Sequence, residues 1–285
     1  KKRDFAHVAV VPEMSPGHPV HSRTAGRYGR CGYGQKRLEG KKVYQHLEKL
    51  YSEIWIYGNQ AFYDPIVEYD ISESISRKMY FTGYIPRKMP GKEAVRKVTK
   101  ELGLKAGEKL VVVTTGGGGD GYRVMDTYLA MLESFSPAPP YKSVLITGPF
   151  MPKQERKDVF RRARRLGVRT YHFYRQMEKI FAAADIVVSM GGYNTLCEIL
   201  GQGTISLVIP RETPRQEQII RARAFHRQHL VDYIPWSDYA PDILREKILC
   251  LMENPGTYHE AISRFKLTGI ETMKRRLIEF RCKRA

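Results

Sequence analysis

Cysteine is scarce in this chain, and the few that occur are scattered. Among 285 residues there are four cysteines, Cys31, Cys197, Cys250 and Cys282, which form neither a Cys-x-x-Cys pair nor a cluster with histidine. This arrangement argues against a disulfide framework and against a structural zinc site. We therefore expect a protein of the reducing cytoplasm.

Long apolar runs and paired acidic motifs are missing as well. No apolar stretch approaches the roughly 20 residues that a helix needs to span a bilayer, and no signal peptide is visible. The sequence also contains no Asp-x-Asp motif, the kind of carboxylate pair that could hold a divalent cation on a phosphorylated ligand. We expect no transmembrane segment and no metal site.

Acidic residues are too few to balance the basic ones. The chain has 48 Lys and Arg against 30 Asp and Glu, a formal net charge of +18. Such an excess favours anionic partners, which include nucleic acid, anionic lipid headgroups and phosphorylated substrates, and charge alone does not choose among them. A nucleic-acid-binding protein would reveal itself by strong binding with a steep salt dependence.

The chain divides into three segments by pattern. Residues 1–41 are rich in Gly, Pro, Arg and His without a period, apart from the apolar run Val8–Val11, and we expect them to be irregular or disordered. Residues 42–90 read as one strand–helix–strand unit followed by a proline-containing linker, too little for a complete domain. Residues 91–285 have a regular pattern and predict a C-terminal domain.

Apolar strand-length runs alternate with helical patterns throughout this last segment. Leu110–Thr114, Ile186–Ser189 and Ile205–Ile209 are continuous apolar runs, as in strands of a parallel sheet that are buried on both faces. Alternation at this spacing predicts βαβ units and an α/β fold with a Rossmann-like, doubly wound parallel sheet. Ligands of such sheets bind at the carboxyl ends of the strands.

The most informative motif, Ser189–Glu198 (SMGGYNTLCE), joins one of these strands to a helix. Gly191 and Gly192 allow a tight turn, and Asn194 and Thr195 fall at the helix start, where backbone amides favour an anion. Glu198 lies one helical turn further on the same face. The motif fits a site for a diphosphate and a ribose diol. It equally fits a glycine-turned helix start followed by a solvated glutamate.

A second glycine turn, TTGGGGDGY, follows the strand Leu110–Thr114. It matches Gly-x-Gly-x-x-Gly at Gly116, Gly118 and Gly121, which makes a nicotinamide- or flavin-dependent enzyme the first rival. That fingerprint also needs an acidic residue at the end of the next strand, where this chain has Thr147, and the run lacks the Lys of a phosphate-binding loop. The glycines more simply allow a ligand to approach the backbone closely.

Two further segments follow strands and therefore lie at the same predicted edge. Phe173–Met177 could stack on a base or hydrogen-bond to it, or could be an ordinary loop. Gln216 and Glu217 fall at a helix start, where they could bind sugar hydroxyls or serve as common helix-start residues.

The run VSMGGYNTLCEILGQGTISLVIPRETPRQEQIIRA resembles the nucleotide-sugar box of glycosyltransferases with the B-type fold, which has two facing Rossmann-like domains. It is similar to the lipid II-forming N-acetylglucosaminyltransferase family and to plant UDP-sugar transferases. Within the plant-type box a histidine occupies the position of Met190. The resemblance extends over nearly all of residues 108–255.

The resemblance assigns roles to particular residues. Glu198 would hold the ribose hydroxyls, and the sugar would contact Gln216 and Glu217. The remaining candidates for the nucleotide sugar are two glycine turns, the helix start and the base-receiving loop: Gly116, Gly117, Gly118, Phe173, Tyr174, Gly191, Gly192, Asn194 and Thr195. No residue of the chain is singled out as a catalytic base.

The implied function is inverting, metal-independent transfer of a hexosyl group, such as N-acetylglucosamine, from a UDP-sugar to an acceptor hydroxyl, without a cofactor. Basic patches would engage a membrane surface or a lipid-linked acceptor, with the protein peripheral at the inner membrane face and no nucleic acid bound. The alternative is a catalytically incomplete nucleotide-sugar-binding module that needs a partner chain or a missing domain. In a full-length relative the basic C-terminal helix, Lys274–Arg284, would pack back across the N-terminal domain, so we expect it to be partly undocked and mobile in this chain.

Overall fold

The computed structural model describes residues 8–12, 44–213 and 216–282, which form two compact units. The first unit combines the described residues up to Ile85 with those from Leu267 onward, and the second runs from Pro86 to Lys266. Each unit contains a parallel sheet.

The first unit is a three-stranded parallel sheet with the order β1-β2-β3 and short helices. Its elements are β1 (Val8–Pro12), α1 (residues 44–50), β2 (Glu53–Tyr57), α2 (Pro65–Glu68), α3 (Glu73–Ser76), β3 (Met79–Phe81) and α12 (Gly269–Cys282). Ile54 and Ile56 of β2 pack with Ile71 and Ile75 in its buried core.

Strand β1 corrects the prediction for residues 1–41. Val8–Pro12 pairs along its whole length with β2, although the sequence predicts irregular structure there. The local pattern is a five-residue apolar run without a turn or helix beside it, and its partner strand lies far along the chain. Pairing with a distant strand therefore decides its structure. The rest of the predicted irregular segment, residues 1–7 and 13–41, lies outside the described residues.

The C-terminal helix α12 makes defined contacts through Arg276, whereas Leu277 and Ile278 are 51% and 62% exposed, and its partial undocking and mobility stay a prediction. Arg276 of α12 donates from Nε to Oε1 of Glu53 at 2.6 Å, and its guanidinium lies 4.7 Å from the ring centroid of Tyr80. Glu53 is buried and also accepts a 2.6 Å hydrogen bond from Nε1 of Trp55. This buried carboxylate anchors the helix to the first unit, whereas the sequence pattern assigns residues 91–285 to one domain.

The second unit is a six-stranded parallel sheet with helices between successive strands, which confirms the predicted α/β fold with a doubly wound parallel sheet. Its strands are β4 (Lys109–Thr114), β5 (Tyr141–Ile146), β6 (Arg169–Tyr171), β7 (Ile186–Ser189), β8 (Ile205–Val208) and β9 (Asp232–Tyr233). Its helices are α4 (Lys92–Glu101), α5 (Tyr122–Glu133), α6 (Lys153–Arg165), α7 (Met177–Ala183), α8 (Tyr193–Gly201), α9 (Glu217–His226), α10 (Pro241–Glu253) and α11 (Gly256–Arg264).

In the strand order β6-β5-β4-β7-β8-β9, the first strand of this sheet in the chain, β4, lies near the middle of the sheet. The chain moves outward from β4 to β6 and then returns to the other side of β4 with β7. Successive connections therefore diverge between β4 and β7, and the crevice that this leaves at the carboxyl ends is where open sheets of this type bind ligands. The central strands are apolar because helices cover both faces; Val111, Val112 and Val113 have no exposed surface.

Candidate functional site

The two glycine turns leave the sheet side by side at this crevice. Thr114 at the end of β4 is in register with Ser189 at the end of β7. A Cβ at Gly116 would lie 3.6 Å from Oγ1 of Thr195 in the first turn of α8. The structure thus brings together the two turns that the sequence identified separately, and Thr195 faces both.

The first turn is fixed by the loop that follows β5. Gly118 has a φ of +88°, and a Cβ there would lie 2.1 Å from the carbonyl oxygen of Thr147. The Phe150 amide donates to the carbonyl of Gly117 at 2.8 Å, and the ring of Phe150 lies over Gly117 while remaining 75% exposed. A side chain at Gly118 has no room, so this backbone needs glycine to pack.

The second turn presents the start of α8 to the crevice. Gly191 has a φ of +74°, and a Cβ there would lie 2.6 Å from Cγ1 of Val208. Gly192 is the N-cap of α8, and no side chain of the described residues caps the helix. The helix start, with the amide of Gly192, therefore presents a region favourable to an anion, where the helix dipole is positive.

Arg87 joins two of the predicted site residues. Its Nη2 donates to Oδ1 of Asn194 at 3.1 Å, and its Nε lies 3.5 Å from Oε1 of Glu198. Burial raises the pKa of Glu198 above its usual range; Arg87 opposes this shift, and the negative charge of Glu178 adds to it. Glu198 is therefore a half-buried carboxylate with one loose cationic partner, and it has acceptor capacity left for a ligand.

Arg211 organises the start of α9. Its Nη2 donates to Oε1 of Glu217 at 2.7 Å, its Nη1 contacts Asp120 after the first glycine turn, and its amide donates to Oε1 of Gln218 at 2.9 Å. The predicted sugar-binding residue Glu217 is thus held in place by an ion pair. Gln216 is the exposed N-cap of α9.

Phe173 and Tyr174 lie on the loop after β6, at the same edge of the sheet. Phe173 is 62% exposed, and the ring of Tyr174 packs edge-on against Tyr171 at a centroid distance of 5.1 Å. Burial raises the pKa of Tyr174, and Glu178 contributes to that shift as it does to that of Glu198. Within the described ranges these two residues make no hydrogen bond or ring contact with the start of α8.

Three arginines at this edge, Arg87, Arg211 and Arg221, were missed by sequence reasoning. Arg87 precedes α4 and lies far along the chain from Glu198, which it contacts. Arg211 and Arg221 lie within the run that resembles the nucleotide-sugar box; Arg211 follows β8, and Arg221 of α9 donates to the carbonyl of Gly191. In a chain with 48 Lys and Arg, no local signal distinguishes them.

The described residues place neither a metal-binding cluster nor the 640 Å³ groove at this edge. Among them, no group of three or more His, Cys, Asp or Glu side chains is positioned to hold a metal ion. A groove of about 640 Å³ is lined by the starts of β4, β5 and β6, including Glu108, Tyr141 and Arg169, and therefore lies at the amino edge of the sheet, away from the candidate residues.

Comparison with protein families identifies the domain. Residues 92–277 match the glycosyltransferase family 28 C-terminal domain. A UDP-N-acetylglucosamine–N-acetylmuramyl-(pentapeptide) pyrophosphoryl-undecaprenol N-acetylglucosamine transferase from Halalkalibacterium halodurans is 27% identical over 180 residues, which cover 62% of this chain and 49% of that protein. The enzyme of the same name from Clostridium kluyveri is 30% identical over 105 residues, covering 36% and 29%. The match thus spans about half the length of the first relative and less of the second.

Solved structures with the same fold are also glycosyltransferases. The glycotransferase of kitacinnamycin superposes with a TM-score of 0.57 at 17% identity, covering 87% of this chain and 64% of that one. MurG from Acinetobacter baumannii superposes with a TM-score of 0.52 at 14% identity, covering 80% and 73%. These likenesses show the B-type glycosyltransferase fold, and the family match is consistent with the resemblance of the central motif. The chain belongs to glycosyltransferase family 28, of which it carries the C-terminal domain.

Proposed function

We propose that this chain binds a UDP-sugar and that the protein transfers the hexosyl group, such as N-acetylglucosamine, to an acceptor hydroxyl. The observation that carries the proposal is the uncapped start of α8 in the crevice between β4 and β7, with the half-buried carboxylate of Glu198 one helical turn on. The helix start suits a diphosphate, and the carboxylate suits the two hydroxyls of a ribose.

We propose the inverting reaction that the resemblance implies for such a donor. The acceptor oxygen attacks the anomeric carbon from the face opposite the leaving group and loses its proton to a base. The bond from that carbon to the β-phosphate oxygen breaks, and UDP leaves with the electron pair, so the configuration inverts. We propose that helix-start amides and arginines stabilise the departing diphosphate without a metal ion or cofactor.

Calorimetry with UDP in the presence of a chelator tests donor binding on this chain. We expect binding without added metal and much weaker binding of ADP, because the resemblance to UDP-sugar transferases implies that the loop with Phe173 and Tyr174 receives uracil. Binding seen only with Mg²⁺ or Mn²⁺ would refute the metal-independent mechanism. Equal affinity for ADP would refute the assignment of the base.

For the acceptor, we propose a lipid-linked saccharide at the inner face of a membrane, where the protein is peripheral. Relatives act on an undecaprenol-linked substrate according to their names. Among the described residues, no helix combines the length and apolar character that crossing a membrane requires. The basic residues of α6 that line a groove of about 490 Å³ form a basic stripe, which supports attachment to an anionic surface. The stripe consists of Arg156, Lys157, Arg161, Arg164 and Arg165, and Phe160 and His172 complete the lining of the groove.

A further inference from the structure

Arg221 is a buried arginine to which none of the described residues offers a carboxylate. It lies on α9, only 2% of its surface is exposed, and within the described part of the chain no Asp or Glu oxygen comes within 4.0 Å of its guanidinium. Nη1 donates to the carbonyl oxygen of Gly191 at 2.9 Å, while Nε is enclosed and has no acceptor there. The guanidinium lies 5.7 Å from the ring centroid of Tyr193.

This arrangement differs from that of three partly covered arginines that pair with carboxylates. Arg162 holds Asp126 and Glu133, Arg211 holds Asp120 and Glu217, and Arg276 holds Glu53. Burying a cation is costly unless an anion and hydrogen bonds compensate it. The positive charge of Arg221 therefore has one carbonyl hydrogen bond but no neighbouring negative charge among the described residues.

The position of Arg221 also fixes the direction of one backbone amide. In a planar trans peptide the C=O and N–H groups point in opposite directions. Because Arg221 binds the Gly191 carbonyl from the interior, the N–H of the next residue, Gly192, points outward from the turn. That amide has no acceptor among the described residues, and it belongs to the N-cap of α8.

We infer that Arg221 is a positioning residue for the donor, which acts as the buried counter-charge of the diphosphate bound at the start of α8. This inference rests on the proposed function, since it requires a nucleoside diphosphate at that helix start. The diphosphate supplies the anion that Arg221 lacks, and Arg221 holds the turn so that the Gly192 amide faces it. Because the cation is buried, salt screens its attraction for the ligand far less than it screens a surface charge.

Two substitutions of Arg221, each tested with three ligands, distinguish the effect of its positive charge on binding from the effect of its hydrogen bond to Gly191. Arg221→Gln removes the charge and keeps a donor for the Gly191 carbonyl, whereas Arg221→Lys keeps the charge. Calorimetry is carried out with UDP, UMP and the uncharged uridine. We expect Arg221→Gln to bind UDP about 10- to 30-fold more weakly, UMP less affected, uridine unchanged and Arg221→Lys close to wild type for all three.

Salt provides the second readout, with Arg87→Gln as the exposed counterpart. The loss of UDP affinity in Arg221→Gln should persist from low to high salt, whereas the loss in Arg87→Gln should shrink, because the Arg87 side chain is 43% exposed. Equal losses for UDP and uridine in Arg221→Gln, or equal losses in the Gln and Lys variants, would show a structural role and overturn the inference. Failure of both variants to fold would do the same. A wild-type chain that binds neither UDP nor uridine would refute the proposed function instead.

Discussion

Nε of Arg87 lies 3.5 Å from Oε1 of Glu198, and the same guanidinium reaches Asn194, so one cation spans two residues of the candidate donor site. The pair is loose and partly exposed, and such pairs contribute about 0–1 kcal/mol to stability. A ribose diol can therefore compete with Arg87 for Glu198 at little cost.

Replacing Glu198 should separate binding from folding. Charge-assisted hydrogen bonds are worth about 1.5–3 kcal/mol each, so we expect Glu198→Gln to bind UDP about ten-fold more weakly or worse. The same variant should be at least as stable as wild type at pH 7, because burial penalises the ionised carboxylate. Calorimetry and thermal unfolding measure the two effects, with the exposed Glu246→Gln as the charge-matched control. A variant that binds UDP normally but melts earlier would make Glu198 a structural residue.

The raised pKa of Glu198 also predicts a pH dependence of binding. The ionised form accepts hydrogen bonds from the ribose, so UDP affinity should fall as pH decreases through a pKa above the usual glutamate range. Its contribution to stability has the opposite sign: it is present below the unfolded-state pKa and is lost as pH rises through the folded-state pKa. The ratio of wild-type to Glu198→Gln affinity, measured between mildly acidic and neutral pH, cancels the titration of the diphosphate. A constant ratio would contradict this assignment.

Gly191 should tolerate no side chain, and Gly203 provides the matched control. Both have a φ near +75°, but a Cβ at Gly191 meets Val208 at 2.6 Å whereas nothing lies within 4 Å at Gly203. We expect Gly203→Ala to cost about 1–2 kcal/mol from backbone strain alone and Gly191→Ala to cost more. Only Gly191→Ala should weaken UDP binding, since it displaces the start of α8. Chemical denaturation and calorimetry test both; equal costs in the two variants would rule out the steric argument.

The basic stripe on α6 should matter for membrane attachment. We expect Arg164→Glu/Arg165→Glu to reduce co-flotation with anionic phospholipid vesicles several-fold and to leave UDP affinity unchanged. Lys97→Glu/Lys100→Glu on α4 makes the same change in net charge at exposed positions elsewhere in the second unit. If both double variants lose flotation equally, total charge and not the stripe attracts the vesicles. If neither loses it, the proposed attachment fails.

Docking of α12 should depend on the pair Arg276–Glu53. Removing the cation in Arg276→Met leaves a buried carboxylate with Trp55 as its remaining described partner, and we expect a loss of about 2 kcal/mol. Glu53→Gln/Arg276→Met should recover part of that loss. Stability is measured by chemical denaturation followed by tryptophan fluorescence. In a Trp236→Phe background, Trp55 is the remaining tryptophan and reports on the first unit. If the loss of unfolding free energy in the double variant equals the sum of the losses in the two single variants, Arg276 and Glu53 do not interact energetically.

Much of the fold was predictable because burial on both faces leaves a local signature. Strands β4, β7 and β8 are continuous apolar runs, and their positions follow from the sequence within a residue. Strand β1 was missed because its stability depends on β2, far along the chain. The Arg276–Glu53 contact of α12 was not predicted, because the two residues lie too far apart in the sequence for a local pattern to reveal the pair.

In the candidate site, too, residues within a short motif were predictable from the sequence, whereas residues brought in from elsewhere in the chain were not. Gly191, Gly192, Asn194, Thr195 and Glu198 are nearly contiguous, so one short motif reveals them, and their role in binding remains a prediction. Arg87 and Arg221 reach that motif through the fold alone. Residue type gives no clue to them, since a surface arginine and a buried, unpaired one look alike in a sequence.

The assignment of both described chain ends to the first unit has a practical consequence for recombination. All twelve candidate donor residues lie within one uninterrupted stretch, Pro86–Lys266, and the residues on either side of it in sequence belong to the other unit. The donor-recognition region therefore corresponds to a single cassette with two junctions. If the proposed function holds, we expect that exchanging that cassette between family members, with the cuts at Ile85–Pro86 and Lys266–Leu267, transfers nucleotide-sugar preference without dividing the six-stranded sheet.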